Sequence, residues 1–230
     1  DGLLLMSPYV HDVDFLERNV DASLPMVLIN AAQGRPQLSV GIDNYGGARA
    51  MVAHLVDAGY TRIAFIDGPE DNDDARERKR GYRDALAAAG EAYTPWELPG
   101  QFDEDSGHRA GQALLALDSR PDAVFAANDM MAIGCLYALG RGGVRTPADI
   151  AVVGFDDIPL ARYVHPSLTT MRVDIAELGA RALKALLEIE GAGETETAVH
   201  TALLEPALVI RDSSGTATAS SSSGEPSNRS

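Results

Sequence analysis

The chain has 230 residues, a formal net charge of −15 and an apolar fraction of 45%, a composition that fits one large globular domain or two lobes. So acidic a surface repels phosphate backbones and argues against direct DNA contact by this segment. No apolar run reaches the roughly 20 residues that span a bilayer, no basic–apolar–small leader is visible, and a single cysteine, Cys135, excludes an internal disulfide.

In chain order, residues 2–6 read as a strand, 13–20 as a short helix capped by Asp12, and 26–30 as a strand ending in a polar residue. Residues 33–37 form a loop and 40–43 a short extended piece. Ala48, Met51, Val52, Leu55 and Val56 recur at helical spacing over 44–58, and Gly59 stops that helix. Residues 63–67 are a strand, with Gly68-Pro69 as the turn after it. The charged stretch 72–80 leads into a helical face of Tyr82, Leu86 and Ala89 that ends at Gly90. Trp96–Leu98 is strand-like and 105–117 helical.

Residues 122–157 carry the sharpest pattern. An apolar run at 123–127 is short enough for a buried strand. Asn128 or Asp129 caps the helix that 131–139 carries, Gly140, Gly142 and Gly143 end it, and Pro147 prevents its resumption. Residues 150–155 are a second apolar run, so the stretch reads as a βαβ unit with parallel strands. Beyond it, 168–173 is a β-rich crossing segment. Ile175, Leu178, Ala182, Leu186 and Ile189 share one face of a helix over 175–189, and Thr201–Leu204 and 207–210 are final strands. Residues 213–230, rich in Ser, Thr, Gly and Ala, read as a disordered tail. Strand and helix alternate from end to end, which predicts an α/β fold with parallel sheets. With no eightfold regularity, two lobes fit better than a barrel.

The sequence contains no phosphate loop, dinucleotide fingerprint, HExxH, paired cysteines or nucleophile elbow. No metal or cofactor is therefore predicted, and nothing argues for an enzyme. Several strands end instead in hydrogen-bonding residues: Asn30, the Asp67 loop running to Arg78, Asn128 and Asp156. Taken singly, Asn128 reads as a helix cap and Asp156 as a turn former. Taken together they matter more, because open parallel sheets bind ligands beyond the carboxyl ends of their strands. Asp and Asn accept from sugar hydroxyls, Arg donates in a fixed fork, and Phe102 can stack on the apolar face of a sugar ring.

On these residues the chain resembles the effector-binding domain of the LacI/GalR family of bacterial transcription repressors. DGLLLMSP and LPMVLIN resemble two of its strands, and VGIDNYGGARAMVAHLVDAGYTRIAFIDGP resembles its DN…HL…GP block. RERKRGYRDAL and DEDSGHRAGQALL resemble two of its helix motifs. The long run from PDAVFAANDMMAIG through VVGFDDIPLARYVHPSLTTMR matches the family pattern almost throughout.

The resemblance implies a two-lobed, type I periplasmic-binding-protein-like fold. Residues 1–42 plus 171–200 would form an incomplete N-terminal lobe and 43–170 plus 201–212 a C-terminal lobe, with crossovers near 41–42, 170–172 and 200–202. It also implies a small effector, a sugar, held by Arg78, Asn128 and Asp156 with Phe102 against it. Asn30 stands where many members have Asp, and Asp74 lies in the loop that tunes specificity. Operator DNA would be bound through a basic headpiece absent from this chain, as are the first strands and helices of the N-terminal lobe. A cytoplasmic homodimer with no membrane contact is implied, with Arg49, Met51 and Leu55 as part of its interface. The alternative is a sugar-binding protein of a transport system, which shares the fold.

Overall fold

The computed structural model describes residues 2–6, 20–21, 24–30, 38–192 and 201–215. Its elements run β1 (Leu3–Met6), β2 (Met26–Ile29), β3 (Ser39–Ile42), α1 (Asn44–Asp57), β4 (Ile63–Ile66), α2 (Asp73–Ala89), β5 (Trp96–Leu98), α3 (Glu104–Leu115), β6 (Ala123–Ala126) and α4 (Asp129–Arg141). Then follow β7 (Ala151–Val153), a 3-10 turn (Pro159–Arg162), β8 (Thr170–Arg172), α5 (Ile175–Ala192), β9 (Thr201–Leu204), β10 (Ala207–Val209) and a second 3-10 turn (Asp212–Ser214). Residues 13–19 of the helix expected over 13–20, the loop over 33–37 and the tail beyond Gly215 lie outside the described residues.

Two parallel four-stranded sheets organise the chain, in the orders β1-β2-β3-β9 and β5-β4-β6-β7. Every residue of β4, β6 and β7 is buried. Their unbroken apolar runs are what a parallel strand covered on both faces requires. Helices α1 and α2 pack as one pair and α3 and α4 as another. The second pair meets backbone to backbone: a Cβ on Gly107 would lie 2.0 Å from the Met131 carbonyl oxygen, and one on Gly134 would lie 2.0 Å from that of Glu104. Strands β8 and β10 pair antiparallel beside β7, to which Thr169 is bridged through Val153. Cys135 is a wholly buried core residue, and burial pushes its thiol up to about 12.

Four expectations are corrected. Thr201–Leu204 pairs residue by residue with Ser39–Ile42, so it joins the first sheet, and the third crossover falls after Leu204. Helix α4 passes through Gly140 and is capped only at Gly142, whose N–H donates to Ala138 O at 3.0 Å. One helical glycine costs only about 1 kcal/mol, which packing offsets. Met51 and Leu55 are wholly buried, which leaves only Arg49 of those three residues for an interface.

Ser213 and Ser214, assigned by composition to the tail, are buried as well. The Ser213 hydroxyl donates to Val152 O at 2.5 Å and accepts from Thr169 N at 2.8 Å, and Tyr60 donates to Gly215 O at 2.6 Å. Hydroxyl hydrogen bonds, rather than apolar area, order this segment.

Candidate functional site

The carboxyl ends of the strands open on a cleft of about 720 Å³, within the range of small-molecule sites. All six residues expected at a ligand line it: Asn30, Asp74, Arg78, Phe102, Asn128 and Asp156. Asn30 follows β2, Asn128 follows β6 and Asp156 lies just past β7. Asp74 and Arg78 sit in the first turns of α2, and Phe102 in the turn before α3. Met6, Val173, Asp174 and Ile175 contribute from the first lobe and the crossing segment. Asp157, Arg162 and Arg172 also line the cleft and were not anticipated.

Arg78 is the centre of the base and is 4% exposed. Its Nε–H donates to Asn44 Oδ1 at 2.7 Å, Nη1 donates to Ala127 O at 2.6 Å, and the same nitrogen lies 3.3 Å from Asp156 Oδ1. The guanidinium carbon sits 3.8 Å from the centroid of Phe155 and 5.8 Å from that of Phe102, a cation–π arrangement that keeps the fork rigid. Asn44 Nδ2 in turn donates to Asp74 Oδ1 at 2.8 Å, and Asn30 Nδ2 lies 3.4 Å from Asp74 Oδ2. Asn30 Oδ1 is buried with no hydrogen-bond partner among the described residues. A buried acceptor left open beside a cleft suits a ligand hydroxyl, because an unpaired one is costly.

Asn128 does two things at once. Its Oδ1 caps α4 by accepting from Met131 N at 3.0 Å, and its Nδ2 donates to Phe102 O at 2.9 Å. The cap reading therefore holds while the residue also lines the cleft, and the second N–H of Nδ2 has no partner among the described residues.

Sequence reasoning missed Asn44 and Phe155. Asn44 had a signal, because it follows Asp43, whose carboxylate caps α1 through Gly46 N. Phe155 looks like any apolar strand residue, and only the stacking under Arg78 marks it.

Backbone conformation points to the same place. Asn30, Phe102, Asp156 and Asp157 are the non-glycine residues with positive φ among the described residues, at 55°, 62°, 113° and 57°. All four line the cleft. Such conformations cost of order 1–3 kcal/mol each and cluster where function requires them.

The sequence profile of the periplasmic binding protein-like domain matches residues 52–214. The HTH-type transcriptional regulator CelR of Thermobifida fusca is 39% identical over 218 residues, which cover 93% of this chain and 63% of CelR. The chain thus spans less than two thirds of that relative's length. Among solved structures, a LacI-family regulatory protein from Chloroflexus aggregans is similar with a TM-score of 0.83 and 33% identity, over 94% of this chain and 77% of that one. This chain belongs to the LacI family. A structure of CelR with cellobiose is similar at a TM-score of 0.80 and 38% identity, over 93% of this chain and 65% of that one. These relatives are transcriptional regulators. Among the described residues of this LacI-family chain, no helix is long and apolar enough to cross a membrane.

The carboxylates of this LacI-family cleft divide electrostatically. Burial raises the pKa of Asp156, and Arg78 opposes the rise. Burial also raises Asp74, where the charge of Asp156 adds to the effect while Arg78 and the Asn44 hydrogen bond oppose it. Behind them Asp129 is wholly buried. It accepts from Thr170 Oγ1 at 2.6 Å and from Ile158 N at 2.9 Å. Burial pushes Asp129 up to about 7, with Asp156 and Asp157 adding to the shift and the two hydrogen bonds opposing it. Gly154 makes room for it, since a Cβ there would lie 2.2 Å from Asp129 Oδ1. Asp157 goes the other way: burial works against ionisation, but hydrogen bonds from Arg172 and Arg211 outweigh it and hold the pKa low.

Proposed function

We propose that this chain is the effector-sensing domain of a DNA-binding transcriptional repressor, holding a hydroxyl-rich small molecule, a sugar, between its lobes to control operator binding. The observation that carries the reading is the Arg78–Asp156 pair at the base of the cleft, a buried guanidinium 3.3 Å from a carboxylate. One donates in a fork and the other accepts, so together they grip both sides of a diol. Phe102 offers a ring face, Asn30 an open acceptor, and Asn128 and Asp74 further polar contacts.

A sugar that touches both lobes binds the closed arrangement more tightly than the open one, and only that difference can shift the equilibrium. CelR and its cellobiose complex support a sugar effector. Membership of a regulator family favours sensing over transport or catalysis. The reading carries with it a cytoplasmic homodimer on a two-fold operator. DNA contact would be made by a part of the protein other than this acidic segment.

Calorimetric titration with a sugar panel that includes cellobiose and ribose tests the reading on wild type, Arg78→Ala and Asp156→Ala. Losing one charged partner should cost about 2–3 kcal/mol of binding, roughly thirty- to a hundred-and-fiftyfold in affinity, with melting followed separately. Undiminished affinity in both variants removes the pair from the site.

A further inference from the structure

We propose that the effector carries an anionic group, a carboxylate or phosphate monoester on a polyol frame, seated on Arg162 and Arg172 at the mouth of the cleft. The inference rests on the sugar-sensing reading above and narrows it.

Arg162 comes from the 3-10 turn at Pro159–Arg162 and Arg172 from β8, and both line the cleft with side chains 58% and 49% exposed. Both converge on Asp157, Arg172 through Nε at 2.7 Å and Arg162 through Nη2 at 3.9 Å. The same carboxylate takes Nη2 of Arg211 at 2.5 Å, and its side chain is 1% exposed. Three guanidiniums thus share one carboxylate. Asp174, which lines the cleft and caps α5 through Glu177 N at 3.0 Å, offsets one more charge. Among the residues that line the cleft, the mouth (Arg162 and Arg172 against Asp157 and Asp174) sums to 2 − 2 = 0, and the base (Arg78 against Asp74 and Asp156) to 1 − 2 = −1; Arg211, behind Asp157, makes the mouth more positive still. The cleft is bipolar.

Donor capacity follows the same division. At the base Arg78 spends Nε and Nη1 on Asn44, Ala127 and Asp156, which leaves Nη2 for a ligand hydroxyl. At the mouth Arg172 is held only through Nε, and Arg162 only by its long ion pair, among the described residues. Their free edges present the fork that grips a carboxylate or phosphate in two hydrogen bonds. An anion at the base would instead face Asp74 and Asp156. The ligand is therefore oriented with hydroxyls at the base and charge at the mouth. Asp157 is not stranded when the two rim arginines turn to a ligand, because Arg211 stays, anchored also to Leu168 O at 2.7 Å.

The test is calorimetry at 0.15 M salt, a ~8 Å Debye length, on matched sets: glucose, glucuronate and glucose 6-phosphate; ribose and ribose 5-phosphate; cellobiose and cellobionate. The tightest ligand should be an acid or a phosphate, about tenfold or more above its neutral parent, or 1.4 kcal/mol. Which of the two acidic forms wins identifies the anionic group. Arg162→Gln and Arg172→Gln should each shrink that ratio, and Arg78→Ala should weaken neutral and anionic ligands alike. A neutral parent that binds as tightly as its acid overturns the inference. The sugar-sensing reading survives that result if Arg78→Ala still weakens the neutral sugar, and falls with it if Arg78→Ala does not. An acid preference that persists in both glutamine variants also overturns the assignment to these arginines.

Discussion

Asp156 and Asp157 are adjacent, both hold a positive φ, and yet they belong to two different regions. Asp156, at the base of the cleft, meets one arginine at 3.3 Å, and that arginine is committed elsewhere. Its side chain stays 35% exposed. Asp157, under the mouth, is closed over by Arg172 and Arg211 with Arg162 nearby. The difference teaches that a carboxylate's role follows from how many cations share it and how much of it remains open. The first is left with capacity for a ligand, and the second is consumed in holding Arg172 of β8 and Arg211, which follows β10.

The comparison breaks most sharply at Asp157. Asp157→Ala leaves Arg211, only 13% exposed, without its counter-ion, and should cost about 3–5 kcal/mol, read as a lower urea midpoint at unchanged slope. Asp156→Ala should cost much less stability and much more ligand affinity. If the two variants denature together, the division between base and mouth is wrong.

Asp129 sharpens the base. Its pKa is raised in the folded protein, to about 7, so the folded state binds its proton more tightly than the unfolded state does. The resulting stability is fully present below pH ~4, the pKa of an ordinary Asp, and is lost as pH rises through about 7, by at most roughly 4 kcal/mol over that window. Asp74 and Asp156 are raised and pull in the same direction. Asp157 is lowered, and its contribution disappears instead as pH falls through its folded value. Asp129→Asn should flatten stability between pH 4 and 7. An unchanged slope in chemical denaturation across that range would assign the pH dependence to other groups.

Phe102→Ala should weaken a bound sugar by about 1 kcal/mol, the scale of a ring contact beyond simple burial, and should leave the Arg78–Asp156 pair in place. A loss as large as that of Arg78→Ala would make Phe102 an organiser of the base, through its backbone bond to Asn128. At the small end, Arg145→Ala removes an exposed pair with Asp149 far from the cleft. It should move neither melting temperature nor affinity measurably.

Most of the second lobe was legible because its signals are local. The apolar runs of β4, β6 and β7 are too short for helices and too continuous for half-exposed strands. Asn128 precedes an apolar helix and caps it. The polar strand ends predicted a crevice, and Asn30, Arg78, Asn128 and Asp156 line it, whereas Asp67 pairs with Lys79 instead. Other features left no local trace. Asn44 braces Arg78 across 34 positions, Phe155 stacks beneath the same guanidinium, and Asp157 gathers arginines from three separate segments.

The sequence by itself determined the order of strands and helices, the two-lobed α/β class and the set of polar residues at strand ends, because period, capping and turn chemistry act within a few residues of each other. Tertiary structure alone decided that β9 joins the first sheet, that Ser213 and Ser214 pack rather than fray, and that Asp157 rather than Asp156 is saturated by arginine. A parallel strand carries no mark of which neighbour it will pair with, and an Asp in a loop carries none of which cations will reach it. The Arg211–Asp157 bond joins residues 54 positions apart, and its strength depends on a burial that exists only once the chain has folded around it.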